Sequence, residues 1–267
     1  MYFEWSTLPK SGGWQHIVGI ILMVAALIGG AFLGVKYSGD ENEKRNSKIL
    51  GFAGIFFIVM DIFIEVFMSI KTGYLLTYIP FQLCSMVMYV LPFIPFIKKG
   101  VVKDGFLGLV AFVSTTGAFF YFVKPTAAFN PYVIKTIHSI MWHVCMVGLG
   151  TFTMTAFDLL DFKRYRGFIA ALISYVGMVL IAIAGNFILH AIDPLQETNL
   201  FYISYYNMTY SNPFTYPILS LIMKSQKPYV VYVIAFIIYF ALGASACYGV
   251  GQGVKWVIAK IKAKKTA

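Results

Sequence analysis

Charge is scarce in this chain of 267 residues: Asp, Glu, Lys and Arg make up 12% of it while apolar residues make up 59%. Soluble domains carry about 25% charged residues, so too little polar surface is available here to cover a water-soluble fold. Cysteine is scarce as well. Cys84, Cys145 and Cys247 show neither a pairing pattern nor metal-ligand spacing, which excludes a disulfide scaffold and a zinc cluster, and no cofactor is expected. Acidic residues are few, 11 against 21 basic ones, but the basic residues are spread over several loop ends and form no patch for nucleic acid. No internal repeat is evident, which counts against the inverted-repeat plan of many secondary transporters.

What the chain does have is long apolar runs. About 20 residues are needed to cross roughly 30 Å of hydrocarbon, and seven segments qualify: 14–37, 49–70, 75–97, 105–123, 133–157, 167–191 and 229–250. The first is too long for a signal peptide, and "VKYSGDENEKRNSK" follows it where a cleavage site would stand. The expectation is an all-α polytopic membrane protein of seven transmembrane helices, forming one helical domain over 1–267. Alternate connections hold 15 and 6 of the Lys and Arg residues, so the positive-inside rule puts the N-terminus outside and the C-terminus inside. The net charge of +10 is therefore mainly an orientation signal. Residues 192–228 form the one long connection, rich in Tyr, Asn and Pro, and read as an outer loop or interfacial cap.

Polar side chains at membrane depth cost about 2.5–3.5 kcal/mol for a centrally placed acid, so each one asks for a reason. The second span carries Asp61 and Glu65, four residues apart and therefore on one helix face. The third carries Gln82 and Cys84, the fifth His138 and His143 in "HSIMWH", and the sixth Asn186 and His190. Counted from the span ends, Asp61, Cys84, His143 and Asn186 lie roughly 8–15 Å below the outer surface, with the others shallower. Packing between helices accounts for some such residues. A shared depth across four spans points instead to one buried polar site. A thiol becomes a nucleophile beside a base that something else orients. The parts are Cys84 as nucleophile, His143 as base, Asp61 or Glu65 as orienter, and Gln82, His138, Asn186 or His190 as substrate or oxyanion contacts. Cys247, near the inner end of the last span, reads as helix packing.

With an acid in the second span, "PFQLC" at 80–84 and a histidine in the fifth span, the chain resembles the YwaF-type bacterial integral membrane proteins. These are grouped with eukaryotic multispan ether-phospholipid acyltransferases and, more distantly, with androgen-regulated intramembrane lipid hydrolases. Bacterial members have Pro-x-His-x-Cys, so Gln82 stands where they carry histidine. The resemblance implies that Cys84 and His143 are the catalytic pair and that the protein sits in a bacterial cytoplasmic membrane.

Together these readings describe an intramembrane acyltransferase or hydrolase acting on phospholipid or a related lipid ester. Its partners would be membrane lipids, with a lysolipid or lipoprotein as acyl acceptor and no nucleic acid. A proton- or cation-coupled transporter using the Asp, Glu and His residues is the alternative.

Overall fold

The computed structural model describes residues 4–72, 80–123, 125, 129–161, 165–192, 194, 199–206 and 229–266. Among the described residues six helices are long and apolar enough to cross a membrane, and the protein is an integral membrane protein. Helix α1 is Trp14–Lys36, α2 is Glu43–Thr72, α5 is Val133–Ala156, α6 is Tyr165–Ile192 and α7 is Tyr229–Thr266. Each reproduces an expected span to within a few residues at most ends. The exceptions are α2, whose first turns precede residue 49, and α7, which continues through the basic tail.

The expected third span differs most. Residues 73–79 fall outside the described residues, and from there on the segment is a short apolar helix, α3, Leu83–Phe96. It is built of a 3-10 turn at Leu83–Ser85, one α-helical stretch at Met86–Val90 and a second 3-10 run at Leu91–Phe96. Pro92 and Pro95 supply the reason: neither has an N–H to donate, so the i to i−4 ladder cannot continue through them. Hydropathy reads α3 as part of a span because its composition is apolar, but its described length is well short of one.

Helix α4 runs over 101–123 and is irregular too, with π-helical Leu109–Ser114 between α-helical Val101–Gly108 and Thr115–Val123. The Thr115 hydroxyl donates to the Val110 carbonyl at 3.2 Å, stabilising the widened turn, and every residue of 109–114 is buried. Around this centre pack Phe57, Met86, Leu91, Ile94, Phe112, Met146 and Tyr175, all with essentially no exposure. Large apolar side chains such as Phe52, Val59, Ile173 and Leu242 face outward, as lipid-facing helices require.

Close backbone approach sets the helix positions. Helix α2 runs antiparallel along α3, with Gly51 against the Pro95 ring and Gly54 against Pro92 and Leu91. Moving two to three turns further along α2 reaches Asp61, opposite the beginning of α3 where Cys84 sits. Helix α1 lies along α5, Gly30 meeting Gly148 and Thr151 and Gly34 meeting Thr155, in the small-residue packing usual between membrane helices.

Candidate functional site

Cys84 lies in the first turn of α3, and its position is fixed by its main chain. The indole N–H of Trp142 on α5 donates to the Cys84 carbonyl at 3.2 Å. Trp142 itself is 4% exposed and packs edge-on against Phe57 of α2, ring centroids 4.6 Å apart, with His138 on another side at 5.4 Å. One aromatic side chain thus ties α2, α3 and α5 together at the cysteine. It was legible only in part: Trp142 lies four residues after His138, on the same face of α5.

His143 follows Trp142 directly and so points about 100° away around the helix. It is buried, and its Nδ1 is 2.7 Å from the Ser139 carbonyl one turn earlier. A carbonyl only accepts, so Nδ1 carries the proton and, in the neutral ring, Nε2 holds the lone pair. A main-chain carbonyl of its own helix thus holds one side of this imidazole.

The acids of α2 lie close to α3 and α5. Asp61 is within electrostatic range of Glu65, of Cys84 and of the Tyr89 hydroxyl on α3. Glu65 and Lys135 of α5 lie within electrostatic range of each other, as do Lys135 and His138. Lys135 was read from the sequence only as a topology charge; the fold brings it into electrostatic range of a membrane acid. His138 also interacts with the main chain of Met60, while its Nε2 is buried without a hydrogen-bond partner.

Gln82, Asn186 and His190 do something different from what their spacing suggests. All three hold the described part of the long connection, residues 199–206. Gln82 Nε2 donates to the Asn199 carbonyl at 3.0 Å. Asn186 is 2% exposed and bonds Leu200 at both main-chain groups, donating to its carbonyl at 3.1 Å and accepting from its N–H at 2.8 Å. His190 stacks on the Tyr206 ring, centroids 3.5 Å apart. Asn186 therefore has its amide committed to structure, and the unpartnered buried atom of Gln82 is Oε1, which only accepts, while its Nε2 donates to the same segment.

The segment so held is a cap over the start of α3. The Phe201 N–H donates to the Phe81 carbonyl at 3.0 Å, and their rings pack at 5.4 Å. From α7 the Tyr229 hydroxyl donates to the Ile203 carbonyl at 2.6 Å and the Tyr232 hydroxyl to the Tyr202 carbonyl at 2.7 Å. Phe201 and Tyr202 take left-handed φ values of 56° and 58°, a conformation costing about 1–3 kcal/mol per residue that persists only where surroundings over-determine it. Tyr202 comes within electrostatic range of Cys84. Replacing Asn186 by Ala strips two buried main-chain groups of their partners, and each orphan costs about 1–3 kcal/mol. Thermal unfolding in detergent is expected to fall by roughly 5–10 °C; an unchanged midpoint would show that the cap is not held from α6.

Beside this cap lies an apolar groove of about 310 Å³, lined by Phe81, Tyr89, Val90, Phe93, Phe106, Met178 and Ile181. It opens between α3, α4 and α6. Among the described residues no group of three or more His, Cys, Asp or Glu side chains is placed to hold a metal ion.

The model of the TMEM164 family matches residues 11–246. The chain belongs to the TMEM164 family. That match runs from the start of α1 to within α7 and so includes α3 with Cys84, α5 with His143, and the cap. No curated protein and no solved structure matches the chain.

Proposed function

We propose that this member of the TMEM164 family is an intramembrane acyltransferase or lipid hydrolase acting on phospholipid or a related lipid ester, with Cys84 as nucleophile and His143 as base. The observation that carries the reading is the pairing of Trp142 and His143. Consecutive residues of one helix anchor the Cys84 main chain and present a buried imidazole whose Nδ1 is occupied, leaving Nε2 as the basic nitrogen. The resemblance to YwaF-type proteins and their lipid-modifying relatives points the same way.

In the first step His143 Nε2 takes the thiol proton as Cys84 sulfur bonds to the ester carbonyl carbon. The ester C–O bond then breaks, and the departing lysolipid oxygen takes the proton back from His143. In the second step a hydroxyl or amine of a lysolipid or lipoprotein, or water, gives its proton to His143 and attacks the thioester. The S–C bond breaks and the thiol is restored. Asp61, near Cys84 and Tyr89, accepts a hydrogen bond from the incoming hydroxyl. The groove along Phe81, Tyr89 and Phe93 takes the acyl chain, and the 199–206 cap keeps water from the thioester.

With seven spans, α3 and the residues before it forming the third, and the N-terminus outside, the site faces the outer leaflet of a bacterial cytoplasmic membrane. The test is direct detection of the intermediate. Purified protein incubated with phosphatidylcholine carrying a deuterated acyl chain is expected to show one acyl mass increment on the peptide containing Cys84, removed by neutral hydroxylamine. An increment that persists in Cys84→Ala, or none in the wild type under turnover, would sink the proposal.

One observation favours a second reading, a proton- or cation-coupled transporter. Asp61, Glu65, Lys135 and His138 form an electrostatically linked run on α2 and α5, as relay residues do. Against it, the hydroxyls of Thr116, Thr151, Thr153 and Thr155, deeper in the bundle, each bond a carbonyl of their own helix, so they supply no polar path onward. Pyranine-loaded proteoliposomes separate the readings: Asp61→Asn alters proton flux only if the transporter reading holds.

A further inference from the structure

A large cavity lies apart from the Cys84 site. It has a volume of about 1280 Å³, lies between α1, α4, α5 and α7, and is lined by neither Cys84 nor His143. One wall is the α1 face of Leu27, Ala31 and Val35; the facing wall is the α7 face of Ala246, Val250 and Val254. Cys247, expected only to pack between helices, lines it too.

Its floor contains Thr115, Thr116, Thr151 and Thr155, which looks polar in the sequence. Each hydroxyl, however, donates to a carbonyl of its own helix: Thr115 to Val110 at 3.2 Å, Thr116 to Phe112 at 2.7 Å, Thr151 to Val147 at 3.0 Å and Thr155 to Thr151 at 2.9 Å. With those hydroxyls donating to carbonyls of their own helices, and with the walls otherwise largely apolar, the interior suits hydrocarbon better than water or ions.

One end is charged. Asp40, Glu43, Asp104 and Asp158 line it with Lys99 and Lys255. Lys99 pairs with Asp40 at 2.8 Å and Glu43 at 3.2 Å, Lys255 pairs with Asp158 at 2.9 Å, and Lys103 behind the rim pairs with Glu43 at 3.0 Å. Among the described residues lining this rim, carboxylates outnumber ammonium groups although the chain as a whole is strongly basic. Such a rim repels a purely anionic headgroup and complements one carrying a phosphate and a quaternary or primary amine together.

The walls are long enough for the acyl chains of one leaflet. At 1.5 Å per residue the lined residues run roughly 12 Å from Leu27 to Val35 on α1 and roughly 18 Å from Gly243 to Lys255 on α7. The longer is a little over half of the roughly 30 Å hydrocarbon thickness, and on α4 the lining from Asp104 to Val123 extends further, roughly 28 Å. A volume above the roughly 300–1,000 Å³ of ordinary small-molecule pockets fits a two-chain amphiphile.

We propose that this cleft holds one zwitterionic glycerophospholipid, its headgroup among Lys99, Lys255 and the acidic rim and its chains along α1, α5 and α7. The site is separate from Cys84, and the inference does not depend on the catalytic reading. For the test, the protein is reconstituted in vesicles of equal dioleoylphosphatidylcholine and dioleoylphosphatidylglycerol, extracted in mild detergent and examined by native mass spectrometry. Wild type and Cys84→Ala are each expected to retain one phosphatidylcholine. Ala246→Trp and Val250→Trp, which fill the cleft from two different turns of α7, are expected to retain at least fivefold less while eluting as folded protein. Absence of bound lipid in the wild type, retention of phosphatidylglycerol in its place, or undiminished retention in a folded tryptophan variant overturns the proposal. The wild-type lipid ratio tests the headgroup assignment even if both tryptophan variants fail to fold.

Discussion

Replacing Cys84 by Ala is expected to lower acyl transfer by on the order of 10³-fold or more, because a covalent route loses its nucleophile. Replacing His143 by Ala is expected to cost a comparable factor, and the double variant little more than either single one, since the two groups act as a unit. That non-additivity separates a catalytic pair from two residues that merely support the fold, whose effects accumulate. Trp142→Phe supplies the contrast. It keeps the aromatic packing on Phe57 but removes the N–H bonded to the Cys84 carbonyl, so turnover is expected to drop about tenfold with KM nearly unchanged, in the manner of a displaced nucleophile. Cys145→Ala, on α5, serves as the neutral thiol control. Radiolabelled acyl transfer from phosphatidylcholine to lysolipid in proteoliposomes measures all of these, with circular dichroism confirming the fold. Full activity in both Cys84→Ala and His143→Ala would leave the lipid-modifying reading without a mechanism.

Gly54→Ala is expected to be strongly destabilising. A Cβ there would stand 2.6 Å from the Pro92 nitrogen and 2.7 Å from the Leu91 Cβ, and neither is the end of a flexible side chain. Relief requires α2 and α3 to separate. Overpacking of this kind costs about 1–3 kcal/mol, occasionally more, and it outweighs the roughly 0.5–1 kcal/mol that Ala gains over Gly in a helix. Gly177 on α6 has nothing within 4 Å of such a Cβ, so Gly177→Ala is expected to raise stability by about that same 0.5–1 kcal/mol. The two variants, compared by thermal unfolding in one detergent, should therefore move in opposite directions. Because Gly54 sets how α2 lies along α3, the same variant is expected to shift Asp61 away from Cys84 and to reduce turnover beyond what unfolding explains at the assay temperature.

Several features of the site could be read from spacing. Asp61 and Glu65 at i, i+4 do lie near each other, and the coincidence in depth of α2 and α3 corresponds to the electrostatic proximity of Asp61 and Cys84. Depth alone does not give direction around a helix. Asn186 and Gln82 have suitable depth and polarity for a site, yet their amides face the 199–206 cap, because that segment has main-chain groups needing partners where water is absent. The hydrogen bond from His143 to the Ser139 carbonyl was not legible for a related reason. A carbonyl one turn earlier is present in every helix, so nothing in the residue names marks Ser139.

What the amino-acid sequence determined by itself is the class: too few charges for a soluble surface, and apolar runs of membrane-spanning length that became long helices. That conclusion is robust because hydropathy and backbone satisfaction act locally, segment by segment. Only the tertiary structure decided that the described third apolar segment is a short, proline-broken helix, that Trp142 pins Cys84, and that the threonines of the large cleft spend their hydroxyls on their own helices. These depend on which faces meet and which carbonyls lie within reach, and helix rotation and close glycine contacts set them across residues far apart in the chain.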